Sequence, residues 1–258
     1  MGLNANAIQI KIEINTSFAS ILGLSQYTSG NYTGLYYTNL GEYPQSLYGP
    51  TQPDNTVLNT TSSYYENSET GEKYKFKNSN YYRVEPIKWV IIGGDALGLP
   101  NSDSLAENQL LMISEKCIET SIFHTPTSSS SYTAWTNSTL YSFLLATQNI
   151  VFSESEAEKL SNIDGHKLSL LSYGATYSFN YSNYNVPATL LKSTATGFCG
   201  SVGYTEWYLR MTTVNGSTCK SAAFGISLSS GTIQTNTQSN EHLMTQIRYI
   251  RPIIVLNV

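Results

Sequence analysis

The chain has 258 residues, of which 12% are charged and 12% aromatic, and it carries 20 tyrosines and a net charge of −4. This modest negative charge, without any run of lysine or arginine, argues against nucleic-acid binding as the main function. No window approaches the ~20 apolar residues of a membrane-spanning helix, and the first residues lack the basic and apolar regions of a signal peptide. A chain so rich in Tyr, Asn, Ser and Thr is typical of a protein that displays a binding surface.

The N-terminal part divides into one clear strand and a polar segment. Residues 8–14 alternate between isoleucine and a polar residue, which predicts a half-buried strand. The polar, tyrosine-rich sequence that follows has no regular pattern, so we interpret residues 1–39 as an arm for attachment or oligomerisation. Residues 51–80 are rich in Asn, Thr and Ser and predict a long loop, with one short strand around Tyr74 and Phe76.

Apolar segments in the middle and near the end of the chain predict buried strands. Residues 86–95 and 109–115 form the first two, and the first ends at a Gly-Gly turn. Later predicted strands are residues 167–172, 204–211, 222–228, 232–236 and 246–256, of which the third and fourth form a hairpin with glycine in its turn. The last strand is rich in β-branched residues, so we expect it to pair with an earlier strand and close a sheet.

Two helices are predicted between these groups of strands. Residues 136–148 place apolar side chains at helical spacing, and the N-cap candidates are Thr136, Asn137 and Ser138. Ser153 and Glu156 form a capping-box pattern for a short helix that reaches Leu160. Strands, two helices, long loops and a final meander indicate an α+β fold rather than alternating βαβ units.

Short motifs occur in a fixed order over residues 40–258. They are LGEYPQ (40–45), EPIKW (85–89), LLMISEK (110–116), WTNSTL (135–140), VFSESE (151–156), LLS (170–172), WYLR (207–210) and IRPII (250–254). This series resembles a bacterial and phage family of unknown function. That family is similar to the C-type-lectin-like fold, in the variant shared with formylglycine-generating enzymes and with variable proteins of diversity-generating retroelements.

The resemblance implies a central antiparallel sheet with two helices, long loops and a C-terminal strand that closes the sheet. It also implies that residues 40–258 form a binding or display scaffold, and that loops 212–220 and 234–246 form its ligand face. The candidate ligand-binding residues are Thr212, Asn215, Lys220, Gln234, Asn236, Gln238, Asn240, Glu241 and His242.

A second set of residues is interpreted as structural. Arg210 and Arg251 lie among apolar residues, and a buried arginine needs hydrogen-bond partners. We expect them to clamp backbone carbonyls or carboxylates such as Glu85, with a ligand carboxylate as the alternative. Trp207 is expected to lie in the core beside them.

Catalytic and metal sites find little support in the sequence. The three histidines lie far apart without metal-ligand spacing, and Glu85-Pro86 lacks the asparagine of a calcium-dependent lectin motif. Cys117 is expected to be a buried thiol, whereas Cys199 and Cys219 flank one segment and could pair. The formylglycine-generating enzymes use a reactive cysteine pair, but these two cysteines lack that context. We therefore predict no metal, no cofactor and no enzymatic activity.

The sequence thus predicts a recognition module displayed on a phage particle or a bacterial cell surface. Its partner would be a host-surface glycan or a protein receptor, as for an adhesin or a tail-fibre domain. The N-terminal arm would join copies of the chain or attach it to other virion or surface proteins. The alternatives are a structural decoration or fibre-base protein of the virion and an enzyme of the formylglycine-generating type.

Overall fold

Antiparallel strands dominate the part of the chain that the structure, a computed structural model, describes. That part comprises residues 23–30, 32–93, 108–125, 135–163, 165–171, 193–200, 207–208, 210, 222–226, 233–237 and 247–257. The predicted strand at residues 8–14 and loop 212–220 lie outside it. Mostly antiparallel sheet with two helices confirms the α+β class.

The strands are numbered in chain order. They are β1 (Ser25–Gln26), β2 (Tyr36–Gly49), β3 (Thr56–Asn59), β4 (Tyr64–Asn67), β5 (Lys73–Lys77), β6 (Asn80–Gly93), β7 (Gln109–Ser114), β8 (Glu119–Ser121), β9 (Leu160–Ser161), β10 (Trp207–Tyr208), β11 (Ala222–Ile226), β12 (Ile233–Thr237), β13 (Arg248–Ile250) and β14 (Ile253–Asn257). The α-helices are α1 (Thr139–Val151) and α2 (Glu154–Ala157), and the 3₁₀ turns are η1 (Trp135–Asn137) and η2 (Gly197–Cys199). Within the described ranges, no helix is long and apolar enough to cross a membrane.

The strands form two sheets. The first has the order β3-β4-β5-β6-β7-β14-β9, with β2 along the other side of β6 and β1 on β2. The second has the order β12-β11-β10-β13-β8, in which only the β10–β13 pairing is parallel among the described strands. The two longest strands of the first sheet, β2 and β6, pair with each other along most of their length. In the second sheet, the predicted hairpin of β11 and β12 is confirmed.

The C-terminal segment passes from one sheet to the other. The prediction of one continuous strand over residues 246–256 is wrong, because β13 pairs with β8 in the second sheet and β14 pairs with β7 in the first. Between them lies Pro252, which has no N–H to donate but accepts one from Ser114 through its carbonyl at 3.0 Å. The chain therefore passes from the second sheet to the first at Pro252, next to Ser114 at the end of β7. We call this point the sheet corner.

The Asn-rich segment 51–80 is a three-stranded meander. The predicted short strand around Tyr74 and Phe76 is confirmed as β5, but the interpretation of the rest as a long loop is wrong. We call β3–β5 the meander. Its turns are built by the polar residues that hid the strands: Asn59 Oδ1 accepts the N–H groups of Thr61 and Ser62, and Asn67 Oδ1 accepts those of Glu69 and Thr70. Asparagine forms such turns readily. The high Asn content therefore predicts the turns correctly but gives no signal for the short strands between them.

Two further boundaries differ from prediction around the helices. Helix α1 begins at Thr139, and its N-cap is Ser138, whose Oγ accepts the Tyr141 N–H at 3.0 Å. The capping box of α2 is confirmed, but that helix ends at Ala157, because Leu160 pairs with β14 as part of β9. Within the predicted strand 167–172, Ser169 forms only an isolated bridge to Ile253.

Alternate residues of β6 are buried on opposite faces of the first sheet. Trp89 and Ile91 pack with helix α1 in one core cluster, whereas Val90 and Ile92 pack with Trp207 and the second sheet in another. A strand covered on both faces reads as a continuous apolar run, as it does here. The Trp89 Nε1 donates to the Leu40 carbonyl at 2.7 Å, which ties β6 to β2.

Helix α2 is attached to β2 through one carboxylate. Glu156 Oε1 accepts the Gly41 N–H at 2.9 Å, and its Oε2 accepts both the N–H and the hydroxyl of Ser153. Burial favours the neutral acid, but these hydrogen bonds outweigh it and hold the pKa of Glu156 below its usual value. The motifs LGEYPQ and VFSESE therefore meet at this carboxylate.

Replacement of Glu156 by glutamine is expected to flatten the acid dependence of stability. Because the folded-state pKa is depressed, the carboxylate contributes stability above its unfolded pKa, about 4.3, and loses it as the pH falls through the folded value. Urea unfolding should show E156Q about 1 kcal/mol less stable at pH 7, with a smaller deficit at pH 3. The control is E154Q at the exposed first residue of α2. An equal deficit at both pH values would contradict the assignment.

Candidate functional site

A cleft of about 370 Å³ opens where β2, β6 and the segment after β7 meet η2. Its lining residues are Gln45, Ser46, Glu85, Pro86, Ile87, Lys88, Glu115, Lys116, Ile118, Thr196 and Gly197. Three motifs of the sequence, LGEYPQ, EPIKW and LLMISEK, contribute to this lining. The apolar residues of those motifs lie mainly in the core, whereas their polar residues gather in the cleft.

One wall of the cleft is a bulge in β2. The register between β2 and β6 shifts between Pro44 and Leu47, which takes the Ser46 N–H out of the regular ladder. The Glu85 carboxylate accepts this N–H at 2.9 Å. The Gln45 side-chain amide in return donates to the carbonyls of Glu85 and Pro86 at 2.9 and 2.7 Å. These reciprocal bonds hold the wall in one conformation.

The opposite wall joins β6 to the residues after β7. Lys88 Nζ lies 3.6 Å from a Glu115 carboxylate oxygen, and the Glu115 N–H donates to the Lys88 carbonyl at 2.8 Å. Both side chains are partly exposed, so the ion pair itself contributes little to stability. Where η2 lines the cleft, a Cβ on Gly197 would lie 3.1 Å from the Gln45 carbonyl, so a side chain there would push η2 and β2 apart by a few tenths of an ångström.

The cleft offers hydrogen-bond acceptors and donors in equal measure. The carboxylates of Glu85 and Glu115 accept, and the ammonium groups of Lys88 and Lys116 donate. Because the two signs balance, the lining favours a neutral polar ligand over a strongly charged one. Hydrogen bonds from charged side chains to such a ligand are stronger than neutral ones.

A second polar cluster lies near the cleft, around the buried carboxylate of Glu119. It accepts the Tyr43 hydroxyl at 3.0 Å and the Lys77 ammonium at 2.9 Å, and Lys77 also lies 4.0 Å above the ring of Phe198. Burial, reinforced by Glu119, raises the pKa of Tyr43 far above its usual value. These contacts join β2 and the meander to β8, so we interpret the cluster as structural.

The cysteine thiols are placed for packing. Cys117 is buried in the core, and Cys199 is partly buried. Burial raises the pKa of Cys199 to about 12, despite the neighbouring Thr196 hydroxyl. A thiol with this pKa is protonated at neutral pH and is a poor nucleophile. Cys219 lies outside the described residues, so a pairing of Cys199 with Cys219 stays a prediction.

The predicted clamp residues lie at the sheet corner and at the cleft. Arg251 is fully buried, its Nε donates to the Ser114 carbonyl at 2.9 Å, and its guanidinium lies 5.4 Å from the Trp207 ring. Burial lowers the pKa of Arg251, an effect opposed by its neighbours Tyr32 and Glu115. Trp207 and Arg210 are also buried, and the backbone N–H of Arg210 donates to the Leu171 carbonyl. Glu85 fastens the β2 bulge, as described above.

The predicted ligand face is described only in part. Gln234 and Asn236 lie on β12, paired with Gly225 and Ala223, which confirms the predicted strand over residues 232–236. The first residues of the candidate ligand segment 234–246 therefore belong to this strand. The backbone there is held by the hairpin ladder. Outside the described residues lie Thr212, Asn215, Lys220, Gln238, Asn240, Glu241 and His242.

Sequence reasoning missed Gln45, Lys88 and Lys116 as candidate site residues. The available signal was the clustering of polar side chains at the ends of apolar motifs, namely the Gln of LGEYPQ and the Glu-Lys of LLMISEK. Polar residues that end a buried strand lie at the sheet rim, where ligands have access.

Comparison with known proteins adds no relative from which a function could be taken. No protein-family model, no curated protein and no solved structure matches this chain. Among the described residues, no group of three or more His, Cys, Asp or Glu side chains is placed to hold a metal ion. Function is therefore inferred from the geometry of the cleft.

Proposed function

We propose that this chain is a non-enzymatic recognition module with a C-type-lectin-like fold that binds a host-surface glycan. The observation that carries the proposal is the cleft, in which the polar residues of three motifs converge on one rigid rim. The position of β14 between β7 and β9 is consistent with a C-terminal strand that closes the sheet. Display on a phage particle or a bacterial surface is part of the proposal and rests on the motif resemblance.

The size and lining of the cleft favour a sugar. A volume of about 370 Å³ is at the small end for ligand sites and suits one or two sugar rings. Sugar hydroxyls both donate and accept hydrogen bonds, which matches the alternation of Glu and Lys around the rim. Since Gln45 and Glu85 already hold the wall in place, little ordering would be needed on binding.

Binding is favoured over catalysis by the contacts of the two carboxylates. Glu85 is held by the Ser46 N–H and Glu115 by Lys88, so both carboxylates already have structural partners. The neighbouring thiol of Cys199 is protonated at neutral pH because of its raised pKa. These observations support a binding site, with a formylglycine-generating activity as the less favoured alternative.

Removal of one cleft ammonium is expected to weaken glycan binding about tenfold. Lys116 is exposed, lines the cleft and can donate a charge-assisted hydrogen bond worth ~1.5 kcal/mol to a ligand. The matched control is Lys73→Ala, a partly exposed lysine that pairs with Glu42 outside the cleft lining. A glycan array should select a ligand, and calorimetry should then show weaker binding by K116A and wild-type affinity for K73A.

Two results would redirect the proposal. Replacement of residues 238–246 by a Gly-Ser segment of equal length leaves β12 intact and tests the predicted ligand loops. If that variant loses binding and K116A does not, the loops bind the ligand and the cleft assignment is wrong. If binding to host cells survives enzymatic removal of their glycans, the receptor is a protein.

A structural role in a virion is the second candidate function. The observation that favours it is the edge strand β3, whose side chains Val57 and Leu58 are 70% and 45% exposed. Exposed apolar edge strands pair readily with other chains.

A further inference from the structure

Strand β3 lies at the end of the first sheet, and no described strand pairs with its outer side. Native proteins usually protect such an edge with charge, proline or a covering element. Here the edge carries Val57 and Leu58, two of the most exposed apolar side chains among the described residues. The edge is therefore suited to accept a further strand.

The two faces of the meander differ in chemistry. On one face, Leu58 lies in register with Tyr65 and Tyr74, and Phe76 lies in register with Tyr81. Phe76 is 46% exposed and lies 4.8 Å from the Tyr81 ring. We call this the aromatic face. On the other face, Val57 lies in register with Glu66 and Lys73, followed by Lys75. We call this the charged face.

A strand added to β3 must continue both faces. Its side chains would alternate between apolar residues beside Leu58, on the aromatic face, and polar residues beside Val57, on the face that carries Glu66 one strand further in. The segment at residues 8–14 has this pattern, with Ile8, Ile10, Ile12 and Ile14 on one side and Gln9, Lys11 and Glu13 on the other. Its Lys and Glu would continue the polar character of the charged face, which carries Glu66 and Lys73 on the next two strands.

We propose that residues 8–14 of one copy of this chain pair with the β3 edge of a second copy and extend its first sheet. Main-chain hydrogen bonds supply the affinity of such strand addition, and the alternating side chains supply its specificity. The contact is head-to-tail, so it joins copies into a ring or a filament. The inference is independent of glycan binding, which takes place at the cleft.

Pairing within one copy is disfavoured by distance. Strand β1, at which the arm joins the sheet, is in register with Tyr37 and Val90, whereas Leu58 is in register with Arg83. The two points are about 23 Å apart along the strands and about 24 Å across them, or about 33 Å in total. The chain from Ile14 to Ser25 spans at most about 38 Å. It would have to run nearly straight over the sheet, whereas an arm from a second copy has no such constraint.

The test uses lysine substitutions in the full-length chain and light scattering after gel filtration. Wild type is expected to form oligomers at about 100 µM, a concentration high enough to populate weak strand pairing. Leu58→Lys, on the aromatic face, and the double change Ile10→Lys with Ile12→Lys should each give monomers that melt at the temperature of dilute, dissociated wild type. The matched control is Val57→Lys on the charged face, which should still assemble.

Complementation distinguishes strand exchange from general loss of association. The L58K chain keeps an intact arm, and the I10K/I12K chain keeps an intact edge. Mixing the two monomers should therefore give a heterodimer, in which the arm of the L58K chain pairs with the β3 edge of the I10K/I12K chain. No larger assembly should form, because the other arm and the other edge carry lysine. A monomeric wild type, assembly that survives both variants, equal loss in V57K, or no heterodimer on mixing would each overturn the proposal.

Discussion

Replacement of Arg251 by methionine is expected to lower the free energy of unfolding by about 3 kcal/mol. The side chain is fully buried, donates to the Ser114 carbonyl and stacks over Trp207 at the corner where the chain leaves the second sheet for the first. Methionine fills much of the same volume, but the Ser114 carbonyl loses this hydrogen bond and the ring loses its cation. Relief of the cost of burying a charge opposes this loss, but the buried Ser114 carbonyl left without this donor and the lost hydrogen bond to Tyr32 outweigh it.

Urea unfolding of R251M against R83M measures the effect. Arg83 is exposed on β6, where its guanidinium lies 5.0 Å from the Tyr48 ring, so R83M should cost about 0.5–1 kcal/mol. A variant R251M as stable as wild type, or more stable, would show that Arg251 is not a structural clamp. Its role would then be sought in ligand binding.

Replacement of Gly41 by alanine is expected to cost at least about 3 kcal/mol of stability. The φ of Gly41 is +67°, and an added Cβ would lie 2.7 Å from both the Phe152 ring and the Val151 side chain. Those two side chains are buried and cannot move aside cheaply. Strain there would also disturb the Gly41 N–H bond to Glu156, which attaches α2 to β2.

The matched control for Gly41 is Gly71, whose φ is +74° but whose Cβ would have no neighbour within 4 Å. G71A should cost about 1 kcal/mol, the backbone term alone. The difference between the two variants in thermal or urea unfolding isolates the packing between β2 and α2. Equal costs would mean that Phe152 and Val151 yield to the added methyl group.

The spacing of apolar and capping residues along the sequence predicted those elements that depend only on neighbouring residues. The apolar run ending at Gly93, the N-cap of α1, the capping box of α2 and the β11–β12 hairpin all follow from residue spacing over one or two turns. Strands β3 and β4 of the meander escaped because four residues between Asn-rich turns give too little periodicity, whereas the alternation of Tyr74 and Phe76 predicted β5. The break at Pro252 escaped because it depends on Ser114, a partner far away in sequence.

The candidate site shows the same division. Sequence reasoning singled out Arg251 and Glu85, because a charged residue inside an apolar motif needs a partner nearby. It did not bring Gln45 and Lys116 to the same cleft, because that proximity comes from the register of β2 on β6 and from the corner after β7. In the structure, the polar residues of the motifs hold neighbouring motifs together: Trp89 bonds to Leu40, Glu156 to Gly41 and Arg251 to Ser114.

The cleft assignment is tested most directly by amide hydrogen exchange of the wild-type chain with and without the glycan selected on the array. Ligand in the cleft should slow exchange at the β2 bulge around Ser46, at Lys88 and at Glu115 and Lys116, while the meander keeps its rates. The K116A variant should show a smaller effect at the same ligand concentration. Protection confined to residues 212–220 and 238–246, with the cleft unchanged, would contradict the account and place recognition on the loops.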